Sequence, residues 1–177
     1  VTTTPTTPTP PPLHELLLPL APLLGTWEGH GQGEYPTIEP FEYREQVTFT
    51  HGGKPFLVYA QRTWALDDGR PLHVETGYWR VPAPGRLEVV LSHPTGVTEI
   101  AEGTFTVGDG ELDLELVSTA VGLTSTAKEV TALGRSLRVD LSTDDEPDVL
   151  QYTLRMAAVG LELTHHLAAS LRRTAAL

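Results

Sequence analysis

From Gly25 to about Val159 apolar residues recur at every second position, in runs of seven to eleven residues separated by Gly, Pro and Asp. That period belongs to a strand with one dry face and one wet face. Phe41, Tyr43, Val47 and Phe49 share one face, as do Leu87, Val89 and Leu91; Leu112, Leu114 and Leu116; and Leu150, Tyr152, Leu154 and Met156. The pattern predicts ten strands, at 25–33, 41–51, 55–65, 72–81, 85–92, 97–107, 111–118, 126–133, 135–142 and 149–159. Ten consecutive strands with short links leave long open edges unless the sheet closes, so the expected fold is all-β: an up-and-down antiparallel barrel wide enough to hold a cavity. A β-sandwich is the rival that periodicity does not separate from it.

The flanks read differently. Val1 to Pro12 contains only Val, Thr and Pro, a composition expected of a disordered tail. Leu13–Leu18 predicts a short helix that Pro19 stops and that caps the strands after it. After Gly160 an Ala- and Leu-rich run through His166, Leu167, Ala169, Ser170 and Leu171 predicts a short C-terminal helix. The domain assignment is thus a tail over 1–12 and one barrel over 13–177.

Composition narrows the chemistry. Twelve Lys and Arg against 23 Asp and Glu give a net charge of −11 over 177 residues, which argues against nucleic-acid and membrane-surface partners. The absence of cysteine removes thiolate catalysis and metal–thiolate sites. The apolar stretch Leu13–Leu24 is interrupted by His14, Glu15, Pro19 and Pro22, too short to span a bilayer and unlike a signal segment, so a cytoplasmic location is expected. No G-x-S-x-G elbow, phosphate-cradling glycine loop or H-x-x-x-H pair is visible. The carboxylates, including Asp144, Asp145 and Glu146 before Pro147, read as solvated, and His14, His30, His51 and His93 as solvated or structural.

The first strand carries Gly25-Thr26-Trp27-Glu28-Gly29-His30-Gly31, a G-x-W-x-G-x-G pattern in which Trp27 shares parity with Gly29 and Gly31. One indole plugs a barrel end there while the glycines let the strand bend. Together with Glu34–Ile38, Gly53–Phe56, Pro71–Tyr78, Ala127–Val130 and His166–Ala169, in that order, the chain resembles the nitrobindins from Leu16 to Leu171. The resemblance implies a barrel of the lipocalin and fatty-acid-binding-protein shape with heme b at one mouth. It also implies a ferric heme that binds nitric oxide and isomerises peroxynitrite to nitrate.

By position, His166 matches the family's axial histidine, which makes it the candidate iron ligand and catalytic residue, with neighbouring His165 as its competitor. Lys128, read on strand parity with Val130 and Ala132, would meet a heme propionate or else snorkel to solvent. Met156 would pack on the porphyrin or serve as plain core. Leu72 and His73 fall where the family lines the distal side, with the parity of their strand ambiguous. Thr37 and Ile38 border the pocket. A homodimer is a further expectation. The alternative reading is a carrier of a fatty acid or another apolar anion, without enzymatic activity.

Overall fold

A computed structural model describes residues 11–141 and 148–175. Most of the Thr/Pro tail and the acidic run Asp144–Glu146 therefore lie outside the described residues.

Ten antiparallel strands close into one barrel: β1 (Gly25–Tyr35), β2 (Ile38–His51), β3 (Phe56–Ala65), β4 (Pro71–Arg80), β5 (Arg86–His93), β6 (Val97–Gly108), β7 (Glu111–Leu123), β8 (Val130–Asp140), β9 (Val149–Ala158) and β10 (Thr164–Ala175). Each pairs with its neighbours in sequence, and β1 closes the ring on β10 through Trp27↔Arg173 to Gly33↔Leu167. The sandwich is excluded.

Two expectations about elements fail. The predicted strands 126–133 and 135–142 are the single strand β8, which runs through Gly134 without a turn. The predicted C-terminal helix is β10. Ala and Leu favour a helix in isolation, but Leu167, Ala169 and Leu171 alternate with the outward Ala168, Ser170 and Arg172, and β10 is the strand that both β1 and β9 need for hydrogen bonding. The two errors offset, so the count of ten holds although its members differ.

The N-terminal helix forms, but Pro19 does not stop it. A 3-10 segment covers Glu15–Leu23 with Pro19 and Pro22 inside it. Its i→i+3 pattern makes few demands on N–H groups at those positions, and the fixed φ of proline suits it. Leu17, Leu20 and Leu23 are fully buried and close one end of the barrel over Trp27. The Trp27 indole donates to the Leu23 carbonyl at 2.8 Å. Arg173 lies over its ring at 4.3 Å, holds the Pro22 and Leu24 carbonyls, and pairs with Asp148.

The glycines of β1 serve closeness as well as bending. A Cβ on Gly31 would stand 2.3 Å from the Tyr43 ring, and one on Gly33 would stand 2.2 Å from Phe41. Both rings lie flat across β1 only because those side chains are missing.

Candidate functional site

The end opposite the 3-10 cap is hollow. A cavity of about 1900 Å³ opens there, larger than the ~300–1,000 Å³ of most small-molecule pockets and roomy enough for a macrocycle. Its wall is formed by the ends of β1, β3, β5 and β9, the starts of the even strands and the segment before β8, so side chains remote in sequence converge on it.

His166 stands at this mouth, where the pairing of β10 with β9 slips between His165 and Leu167. The slip is a β-bulge, which re-aims a side chain out of the strict alternation. His165 pairs opposite the outward Arg155 and is exposed, whereas His166 is half-buried and meets the Tyr35 ring edge-on at 5.4 Å between centroids. The two histidines are thus separated by a strand bulge rather than by a helical turn. His166 Nδ1 lies 3.0 Å from the Glu34 carbonyl oxygen. A carbonyl only accepts, so Nδ1 carries the proton and Nε2 keeps its lone pair. Burial lowers the pKa of this imidazole, as does His165, against the opposing pull of the Glu34 carbonyl, so the neutral form dominates at pH 7. A neutral imidazole oriented by a carbonyl is the form that binds a metal through its second nitrogen. The donor set at the mouth therefore fits a histidine-ligated heme iron.

The other residues singled out from the sequence distribute around the same opening. Met156 is half-buried on the inward face of β9, pairing with Thr164. In β4 the inward parity is His73, Glu75 and Trp79, which resolves the ambiguity: His73 faces the interior, and Leu72, 38% exposed, sits at the rim. Burial lowers the pKa of His73, opposed by Glu75 and reinforced by His93, Arg135 and His166. Thr37 and Ile38 are exposed at the β1–β2 turn and line the opening. Lys128 lines it too, but it lies in the segment before β8, exposed, not on the drier face of a strand.

The interior beneath the mouth corrects the reading of the carboxylates as solvated. Glu45, Glu75 and Glu99 are buried, together with Gln61 and Arg135. Glu45 accepts from Gln61 Nε2 and from the Tyr152 hydroxyl, each at 2.8 Å, and the Tyr152 hydroxyl lies 3.1 Å from that of Tyr43. Burial pushes the pKa of Glu45 up to about 7 despite those two hydrogen bonds. Glu75 accepts from the Tyr59 hydroxyl at 2.7 Å and pairs with Arg135 at 3.2 Å, and Arg135 also pairs with Glu99. Burial alone would raise the pKa of Glu99, but His93 and Arg135 hold it below the usual carboxylate range. His93 ends β5 and its side chain is only 8% exposed, so it too is part of the interior rather than of a turn.

One signal could have found these groups. Glu45 sits at the gap between Tyr43 and Val47, Glu75 between His73 and Trp79, and Glu99 between Val97 and Ala101, all on inward parity.

Comparison with known proteins agrees with this geometry. Residues 16–173 match the family described as the THAP4-like, heme-binding beta-barrel domain. The chain is 62% identical over 164 residues to "Peroxynitrite isomerase 2" of Mycobacterium marinum, covering 93% of this chain and 98% of that one. It is 58% identical over 161 residues to "Peroxynitrite isomerase" of Nocardia farcinica, covering 91% and 92%. Among solved structures, Rv2717c from M. tuberculosis superposes with a TM-score of 0.87 at 53% identity, covering 92% of this chain and 99% of that one. A barrel of ten strands with a bulged histidine at its open mouth, matched along nearly its whole length, belongs to the THAP4-like heme-binding β-barrel family.

Proposed function

We propose that this chain binds heme b at the open mouth through His166 Nε2 and isomerises peroxynitrite to nitrate, with nitric oxide as a second small ligand of the same site. The observation that carries the reading is the hydrogen bond from His166 Nδ1 to the Glu34 carbonyl, which fixes the tautomer that leaves Nε2 available. The relatives named peroxynitrite isomerase, at 56–62% identity, support the reaction.

The bound heme would supply a Lewis-acidic iron. The chain's residues do the rest. His166 is held by the β10 bulge, Glu34 and Tyr35, so its ring does not swing to solvent. Met156 and His73 line the chamber and limit what reaches its centre, and Lys128 at the rim offers a cation to a propionate. His73, its pKa lowered by burial, is neutral at pH 7 and adds no fixed charge to the chamber.

The interior charge disfavours the fatty-acid carrier. Arg135 is the one buried Lys or Arg among the described residues, and both Glu75 and Glu99 pair with it. Below the rim, where Lys128 stands, a ligand carboxylate drawn into the interior would meet a net negative wall whose one cation is already paired.

Reconstitution with hemin tests the proposal. Wild type should show a histidine-ligated Soret band and raise nitrate yield from peroxynitrite, and His166→Ala should lose both. A variant with an unchanged Soret band and unchanged nitrate yield would refute it.

We also infer that two copies pair through the outer face of β3–β7. Val58, Tyr78, Val90, Ile100 and Ala120 stand in one register row across five strands, beside the row Ala60, Thr76, Ser92, Thr98 and Gly122. Tyr78, Val90 and Ile100 are 50%, 43% and 46% exposed. Neither row carries a charge, although the chain's net charge is −11, and the nearest carboxylates, Glu88 and Glu102, stand in the next row with Arg80, so like-charged copies meet here over a neutral strip. Light scattering should give a dimer mass for wild type and a monomer mass for Tyr78→Glu; a monomeric wild type removes the inference.

A further inference from the structure

Beneath the mouth, three potential ligand atoms from two strands face one another. His73, Glu75 and His93 each present one such atom, and the three atoms lie within 4.8 Å of one another. His93 Nδ1 is 3.1 Å from His73 Nε2 and 3.3 Å from Glu75 Oε2. Ligands bound to one divalent ion at ~2.0–2.2 Å stand about 2.8–3.6 Å apart in octahedral or tetrahedral geometry, so both separations already have the bite of a shared metal.

Hydrogen bonding satisfies this cluster only in part when His93 is neutral. A neutral imidazole carries one proton. Placed on Nδ1, it leaves the Nε2 lone pair facing Glu99 Oε2 at 3.7 Å, acceptor against acceptor. Placed on Nε2, it lets Nδ1 accept from His73 Nε2–H at 3.1 Å, but leaves Glu75 Oε2 against that lone pair at 3.3 Å and the new N–H 3.7 Å from Glu99 Oε2, beyond hydrogen-bond reach. His93 Nε2 and Glu99 Oε2 are in fact both buried without a hydrogen-bond partner. A side chain more than nine-tenths buried with an unpartnered nitrogen is costly unless something resolves it.

We propose that His73 Nε2, His93 Nδ1 and Glu75 Oε2 form a binding site for a divalent transition-metal ion of the zinc class, separate from His166. Two imidazoles and one carboxylate are a donor set such ions take. With a cation at Nδ1, the His93 proton moves to Nε2 and turns towards Glu99, making the carboxylate–histidine–metal arrangement that orients metal-bound histidines. Tyr59 holds Glu75 Oε1 from behind at 2.7 Å, and the Arg135 guanidinium shares Oε2, the ligand oxygen, at 3.2 Å, leaving it a second lone pair for the ion. Arg135 does not reverse the local field, because Glu75 and Glu99 outnumber it and leave one net negative charge to meet an incoming cation. The rival resolution, a proton on both nitrogens of His93 between the two carboxylates, satisfies the same atoms and is what the test must separate.

The site makes no use of His166, so its failure leaves the heme reading standing, and the reverse also holds. The test is equilibrium binding of Zn2+ to the full chain, with and without hemin, read by metal content after dialysis. Co2+ absorption on the hemin-free chain reports nitrogen and oxygen coordination. The expected result is one equivalent of Zn2+ in both forms and a Co2+ ligand-field spectrum. His93→Asn and His73→Asn should each weaken binding by at least about tenfold, whereas His166→Ala should not. Circular dichroism checks that each variant is folded; His73, half-exposed at the cavity wall, tolerates replacement if His93 does not, and its variant then decides alone. The proposal is overturned by the absence of stoichiometric binding. It is equally overturned by binding that survives both Asn variants, or that disappears with His166→Ala and so belongs to the adjacent His165–His166 pair.

Discussion

The two halves of this barrel are built on the same ten strands and solve opposite problems. Towards the 3-10 cap the inward positions are Trp27, Phe49, Leu57, Trp79, Leu87, Leu112, Val139 and Leu171, nearly all fully buried. Towards the mouth the same strands turn inward Glu45, Gln61, His73, Glu75, Glu99, Arg135 and Tyr152, around an open volume. The cap half removes apolar surface from water and fills its space, whereas the mouth half gives up that gain and holds buried polar groups that stay paired only through one another. Stability therefore concentrates at one end and chemistry at the other. A closed ring permits this, because hydrogen bonding along every strand holds the hollow half in shape.

Truncation of the plug should break this division most severely. Trp27 is fully buried, packs under Leu17, Leu20 and Leu23, and ties the cap through its bond to the Leu23 carbonyl. Trp27→Ala should cost about 3–5 kcal/mol in urea unfolding. If it costs less than about 1 kcal/mol, the cap half is not where the stability resides.

The degree to which each half can be read from the chain follows from the same division. The cap half announces itself, because Leu112, Leu114 and Leu116, or Leu87, Val89 and Leu91, are apolar at every second position and leave parity unambiguous. The mouth half hides, because a Glu at position 45 or 99 looks like any solvated surface carboxylate unless its parity is followed through the apolar residues on either side. What parity does not show is the partner. Arg135 reaches Glu75 and Glu99 across the interior, 60 and 36 residues away in sequence, and only closure of the ring brings them together. His166 is legible as a residue through its family resemblance but not as a conformation, since local composition predicts a helix at the place where a strand bulge orients it.

A titration probes the mouth half directly. With its pKa raised by burial from 4.5 to about 7, Glu45 holds a proton in the folded chain that the unfolded chain releases between those values. The folded state binds the extra proton, so this group's contribution falls as pH rises through that window and levels off above it. Chemical denaturation of wild type and Glu45→Gln from pH ~4 to ~8 should show the wild type losing about 3 kcal/mol relative to the variant. Glu99 acts at the acid end with the opposite sign, because its depressed pKa adds stability that disappears as pH falls below the ordinary carboxylate range. Parallel pH profiles for wild type and Glu45→Gln would mean that Glu45 is ionised and adequately solvated, and that the mouth half is wetter than its packing implies.

The smallest stability change should come from the residue with the largest functional role. His166 is half-buried, contributes one hydrogen bond to the Glu34 carbonyl and one edge contact with Tyr35, and leaves no charge stranded when removed. His166→Ala should therefore cost about 1 kcal/mol or less, even as hemin binding is lost. Measured without hemin, this comparison separates the two halves: Trp27→Ala unfolds readily while His166→Ala does not. A large loss at His166 would show that the β10 bulge depends on the side chain it displays. The imidazole would then be part of the clasp that closes β10 onto its neighbours, and the division between a stabilising end and a reactive end would fail at the seam of the barrel.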